Sequence, residues 1–251
     1  MMIRKTSIVL LLCFISCLAP IAQAGHPMVT DDACTQDTGN QQLELNTDGI
    51  QWPDSYTRVG SLTYTIGFQP NLDIFVNAPI TFSSPAGVDD TSIGSKWRFY
   101  EVNPVKIALK SQIILPSGEE DKGLGTGATS FAVTLIGSYD AGPWSFQGNL
   151  GLTYNRYALE SDQNAYNSLL WLVTAAAGYC LTEQVKLVAD TGLSRNPDKL
   201  STDNPAYVLA GAVYSPNNRL DLDAGIKFGM GCASCAAQIN RQVGIGLTTH
   251  F

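Results

Sequence analysis

The sequence predicts an all-β protein: a transmembrane antiparallel β-barrel of about 12 strands, preceded by a short irregular segment. Three observations predict it. First, residues 143–157 read PWSFQGNLGLTYNRY, with Trp144, Phe146, Leu150, Leu152 and Tyr154 on one parity and Ser145, Gln147, Asn149, Thr153 and Asn155 on the other. Successive side chains of a strand point to opposite faces. One face is therefore apolar over the roughly 10 residues that a tilted strand needs to cross a bilayer, and aromatic residues stand at both ends. Second, short and long links alternate without exception between the strand-like runs. Third, nothing after the N-terminus approaches about 18 consecutive apolar residues, so the mature chain holds no candidate transmembrane helix.

Taken in order, residues 1–24 read as a cleaved secretory signal: Arg4 and Lys5 form the charged region, residues 8–18 the apolar region, and Ala22-Gln23-Ala24 the cleavage site before Gly25. A lipoprotein signal ending at Cys17 fits less well, because Phe14-Ile15-Ser16 is a poor lipobox. Residues 25–40 are polar and aperiodic, an N-terminal periplasmic segment or plug ahead of the barrel at 41–251. Strand-like runs follow at 41–49, 57–68, 71–82, 91–100, 104–115, 129–139, 143–157, 167–180, 184–195, 205–215, 218–229 and 239–251. The short links, 69–71, 101–103, 140–142, 181–183 and 216–217, carry Pro, Gly, Asn or Asp in most cases, the residues of tight turns. The long links are 50–56, 83–90, 116–128, 158–166, 196–204 and 230–238. Short periplasmic turns with longer extracellular loops give this parity, and an even strand number places both chain ends in the periplasm.

Apolar rows recur at Leu72, Ile74, Val76, Ile80 and Phe82, at Phe131, Val133 and Leu135, and at Leu220, Leu222, Ile226 and Phe228. The run 169–179 is apolar on both faces, as a strand facing packed material in the lumen would be. The last run carries Val243, Ile245 and Leu247 on one parity and ends on Phe251, which resembles the terminal strand by which outer-membrane barrels are recognised for insertion.

The parity opposite the apolar rows lines the lumen. It carries Glu44, Asp48, Asp73, Asp190, Asp221 and Asp223 against Lys96, Arg98, Lys106, Lys110, Lys186 and Lys227. An Arg or Lys facing lipid at the midplane costs about 2–4 kcal/mol, which explains their confinement to one face. Two readings stay open. The wall either borders a hydrated pore and orients polar solutes, or forms salt bridges that satisfy one another in a filled interior. A strongly ion-selective filter would carry one predominating sign. The net charge of −7, or −9 once Arg4 and Lys5 leave with the signal, argues against a nucleic-acid partner.

The most distinctive local sequence is GHPMVTDDACTQDTGNQQLELN, residues 25–46. His26, Asp31 and Asp32 are of metal-ligating types, but one His and two carboxylates in an irregular segment do not define a metal site, and a lid or plug at the periplasmic mouth is the better reading. The segment resembles the opening of the phenol-degradation meta-pathway outer-membrane protein family, whose mature chains begin with a His-Pro-x-x-Thr-Asp-Asp-like segment, then Thr-Gln-Gly, then a Gln-Leu-Glu strand. The matching residues are His26, Pro27, Thr30, Asp31, Asp32, Thr35, Gln36, Gly39, Asn40, Gln42, Leu43 and Glu44, with departures at Cys34 and at Asp37, where Gly is usual. Gly94-Ser95-Lys96-Trp97-Arg98-Phe99 resembles the family's G-x-K-W-R-F strand, and Leu115-Pro116-Ser117-Gly118 precedes a Gly-rich loop as in the family. The resemblance implies a bacterial outer-membrane channel or transporter, with a preference for aromatic or other hydrophobic compounds.

Four cysteines outlast the signal: Cys34, Cys180, Cys232 and Cys235. An even number in an exported chain favours disulfides. Topology puts Cys34 and Cys180 at the periplasmic end and Cys232 and Cys235 in an extracellular loop. Cross-pairs would have to span an apolar band about 25 Å tall, far beyond disulfide reach, so the expected pairs are Cys34–Cys180 and Cys232–Cys235. The loop at 119–127 lacks both the ending of a phosphate-binding loop and the oxygen spacing of an EF-hand. A hydrolase would need a nucleophile beside a base, and only His26 and His250 are available, neither at the extracellular end. The sequence therefore reads as a non-enzymatic, cofactor-free outer-membrane channel for small solutes in contact with lipid. The runners-up are a closed structural or adhesive barrel acting through its loops and a membrane-embedded hydrolase.

Overall fold

The computed structural model describes residues 25–232 and 237–251; the signal sequence expected at residues 1–24 lies outside the described residues. Twelve strands form a closed antiparallel barrel: β1 (Gln41–Gln51), β2 (Tyr56–Gln69), β3 (Leu72–Thr81), β5 (Ser92–Val102), β6 (Val105–Ile114), β7 (Ser130–Ala141), β8 (Trp144–Tyr154), β9 (Leu169–Cys180), β10 (Val185–Ser194), β11 (Ala206–Asn217), β12 (Leu220–Met230) and β13 (Arg241–His250). Each pairs with its neighbours in chain order, and β13 closes on β1 from Gln42↔His250 to Gln51↔Arg241. Closure leaves no strand edge facing lipid, where an unpaired backbone group would find no water. The twelve expected runs correspond one to one with these strands, with ends agreeing within three residues.

One strand was not expected. The link 83–90 contains β4 (Gly87–Val88), which pairs with Ile80 and Thr81. The reason is a gap in the ladder. β3 pairs with β5 only from Leu72↔Trp97 to Asn77↔Ser92, so its last residues lack a partner on that side. β4 supplies one, and Asp89 extends the clip through its N–H to Pro79 O at 3.0 Å and its carboxylate to the Thr81 hydroxyl. Burial lifts this carboxyl above its ordinary range against the help of the Thr81 hydroxyl, and Asp90 beside it adds to the rise.

The outer face is the apolar one. Leu150 is 57 % exposed and Ile245 58 %, with Val76, Leu135, Leu152, Val173 and Leu187 exposed likewise. Aromatic rings gather at the short-turn end, where Trp144 packs on Tyr179 at 4.7 Å between centroids and Trp97 on Phe99 at 5.6 Å. The run at 169–179 divides its two apolar faces between different surroundings: Leu169 and Val173 point outward, while Ala176 is buried inside. Ile136, Ala176, Val188, Leu209 and Val213 place apolar side chains on the inner wall of β7 and β9–β11, among the polar Ser138, Thr174, Lys186 and Asp190. The fully buried cluster joins Ala108 and Ile136 of that wall to Ala33 of the N-terminal segment, so the packed core of the molecule lies inside the barrel.

Candidate functional site: the lumen and its N-terminal segment

Residues 25–40 run back from the start of β1 into the lumen. At the short-turn end the segment is tied to β2 by Gly39 N–H to Gly67 O (2.8 Å) and Gly67 N–H to Asn40 O (2.9 Å). A side chain on Gly67 would collide with the Asp37 backbone at 1.6 Å, so only glycine allows this approach. Further in, the Gln36 N–H donates to Asp73 at 3.0 Å, the Thr35 hydroxyl to Pro70 O at 2.9 Å and the Ala33 N–H to the Ser138 hydroxyl at 2.9 Å. Lys110 Nζ pairs with Asp31 Oδ2 at 2.7 Å, and Lys96 Nζ donates to Asp32 O at 3.5 Å. The Asn149 side chain, oriented to satisfy both its ends, bonds the Asp31 backbone N–H at 2.7 Å and its carbonyl at 3.0 Å.

Asp190 gathers three donors from the segment: the N–H groups of Val29 (2.6 Å) and Thr30 (2.9 Å) and the Thr30 hydroxyl (2.8 Å). Tyr207 adds a fourth at 3.0 Å. At the far end His26 lies between two carboxylates, with Nε2 3.5 Å from Asp48 and Nδ1 in a short contact with Asp223. A carboxylate has no proton to give, so both contacts are satisfied by an imidazolium with N–H on each nitrogen. Pro27 lies against Gly211 and Gly225, where added Cβ atoms would come within 2.7 and 2.6 Å of its ring.

The twelve expected lumen charges fall into distinct settings. Asp73, Lys96, Lys110, Asp190, Asp48 and Asp223 contact the N-terminal segment as described. At the short-turn rim the wall pairs its own charges: Arg98 with Glu101 (3.0 Å), Lys106 with Asp140 (3.2 Å) and Asp221 with His250 (3.1 Å). Glu44 accepts from Gln42 at 2.5 Å, Lys227 lies 5.3 Å from the Tyr207 ring centre, and Lys186 is buried across the ladder from Cys180. His26 and Asp31 face opposite ways, toward Asp223 and Lys110, so the His26, Asp31, Asp32 trio does not converge. Among the described residues no group of three or more His, Cys, Asp or Glu could hold a metal ion. Sequence reasoning singled out the charges and passed over Ser138, Asn149 and Tyr207. Their positions on the inward parity were the available signal.

The expected Cys34–Cys180 disulfide is not formed. Cys34 travels with the segment into the lumen, where its sulfur lies 3.5 Å from Lys106 Nζ on β6, three strands from β9 where Cys180 lies. Strand topology fixed only the end of the barrel for each cysteine, not the sector. The expected Cys232–Cys235 pair involves Cys235, which lies outside the described residues.

Beside the segment, toward β1–β3, β5 and β6, the lumen keeps a cavity of about 280 Å³. It is bordered by Gly25 and Asp31 of the segment and by Glu44, Thr63, Thr65, Asp73, Asn77, Lys96 and Lys110 of the wall; Phe75 is the one apolar side chain among its lining residues.

Comparison with known proteins places this geometry. A model of the family described as "Putative MetA-pathway of phenol degradation" matches residues 24–234. No curated protein matches the chain. Among solved structures, an outer membrane channel from Pseudomonas putida F1 is 11 % identical, with a TM-score of 0.66 over 88 % of this chain and 98 % of that one. The KdgM porin is 8 % identical with a TM-score of 0.60 over 84 % and 99 % of the two chains, and the NanC porin is 10 % identical with a TM-score of 0.60 over 82 % and 98 %. At these identities the likeness is one of fold.

Proposed function

We propose that this chain, which belongs to the family described as "Putative MetA-pathway of phenol degradation", is an outer-membrane channel for passive passage of small solutes, with residues 25–36 as its displaceable plug. What carries the reading is how the segment is held. Its contacts with the wall are mostly ion pairs and hydrogen bonds, which water or a solute can replace, with two small apolar seats at Pro27 and Ala33, and a cavity of about 280 Å³ already lies beside it. An apolar outer belt puts the barrel in lipid, and the polar cavity supports hydrophilic solutes. Preference for aromatic or hydrophobic compounds rests on the family description alone. The His250 site does not carry a serine–histidine pair: His250 and the Ser215 hydroxyl both bond to Asp221 rather than to each other, leaving the serine without an imidazole base.

Entry of arabinose into liposomes carrying the refolded full-length protein tests this reading. The expected result is influx several-fold above protein-free liposomes, rising further when the plug is loosened by Gly225→Ala. Influx at the protein-free level for both folded proteins contradicts a channel and favours a closed structural barrel.

A further inference from the structure

Two groups of lumen charges meet the plug from opposite sides, with Asp73 and Glu44 standing among the cations and Lys186 and Lys227 among the acids. Among the described inward charges of β5 and β6, the rim cations Arg98 and Lys106 are paired with acids of the wall, Lys106 also lying beside Cys34, whereas Lys96 and Lys110 meet the segment at Asp32 and Asp31. On the other side, β10, β12 and β1 carry Asp190, Asp223 and Asp48, which meet the segment at Thr30 and His26. β6 and β12 are six strands apart whichever way the twelve-membered ring is followed, so Lys110 and Asp223 stand on diametrically opposed strands. Six residues of chain, from His26 to Asp31, reach from one to the other. The wall also reads the peptide itself, through Asp190 on two N–H groups, Ser138 on one and Asn149 on both backbone groups of Asp31. Lys227 lies on the acidic side, but over the Tyr207 ring.

Resting on the channel reading above, we infer that the lumen is a binding path for dipolar solutes, short zwitterionic peptides above all, with the cationic end toward Asp48 and Asp223 and the anionic end toward Lys96 and Lys110, and that the plug is its resident occupant. Opposed charged walls with low-dielectric material behind them create a transverse field that orients a dipole as it passes. A molecule of one sign gains on one wall and loses on the other, and a neutral one gains on neither. Asp223 Oδ2 and Asn46 Oδ1 are buried acceptors for which the described residues offer no donor, and both lie within 2.6 Å of where a side chain on Gly246 would stand. An ammonium group supplies donors for both, which a carboxylate cannot.

The test compares tetraglycine with its N-acetylated, C-amidated form, which keeps the backbone and removes both charges. Influx into liposomes is measured for the wild-type chain and for Gly225→Ala, which leaves every charge in place. The proposal expects tetraglycine to enter at least fivefold faster than the doubly capped peptide, singly capped peptides to fall between them, and the preference to shrink in 1 M salt, where screening acts over about 3 Å. Lys96→Gln with Lys110→Gln, and separately Asp48→Asn with Asp223→Asn, each abolish the preference. A second readout needs no conduction: millimolar tetraglycine speeds alkylation of Cys34, followed by peptide mass spectrometry, whereas the capped peptide does not. Equal entry of the capped and uncapped peptides, or faster entry of a singly charged one, overturns the dipolar path while leaving the channel intact. No entry of either peptide or of arabinose overturns both.

Discussion

His26 and Gly225 set the two ends of the scale on which the plug is held. His26 stands between Asp48 and Asp223, on β1 and β12, and nothing else described bonds both carboxylates. Removing one member of a buried ion pair leaves the other uncompensated, at a cost of about 3–5 kcal/mol in a dry interior. His26→Ala is therefore expected to raise the Cys34 alkylation rate tenfold or more in folded protein, as measured by peptide mass spectrometry, and an unchanged rate would show that the histidine does not hold the plug. Gly225 works by absence. A Cβ there meets Pro27 at 2.6 and 2.9 Å, while the nearest wall atom, Ala210 O, is 3.5 Å away. The wall accommodates alanine; the proline does not.

At the level of strands, the outer face answers to lipid and the inner face to the plug. Leu150 stands midway along β8 on the outer face, so Leu150→Arg should lower stability by about 2–4 kcal/mol in urea titrations of protein folded into vesicles, whereas the same change in detergent costs less. A loss below about 0.5 kcal/mol in vesicles would place this face elsewhere than in lipid. Most of this was legible in the sequence because period-2 alternation and link length are local. Residues 143–157 alone gave the face of β8, and Gln69-Pro70-Asn71 alone gave a turn. What was not legible is non-local. β4 exists because β5 starts too late to cover β3, and Cys34 parts from Cys180 because the segment carrying it turns inward toward β6. The plug itself was expected at the periplasmic mouth; its route through the lumen depends on glycines at 67, 211 and 225 that no local pattern connects to Asp37 or Pro27.

The molecule as a whole is a barrel filled by its own N-terminus. The equal numbers of acidic and basic lumen residues read from the sequence left a hydrated pore and a self-satisfied interior as rivals, because strand parity gives the face of a charge but not its sector. Ring order supplies the sector, and the charges then divide into two settings. The rim satisfies itself through Arg98–Glu101, Lys106–Asp140 and His250–Asp221, while the central charges are bridged by a segment whose polar contacts can be exchanged. The central claim is that this segment, and not the wall, closes the path. Single-channel conductance of the refolded full-length protein in a planar bilayer, wild type beside Gly225→Ala, tests it most directly. The account predicts brief, small steps for the wild type and larger, long-lived steps for the variant. Equal conductance in the two, or silence in both with folding verified, would contradict it.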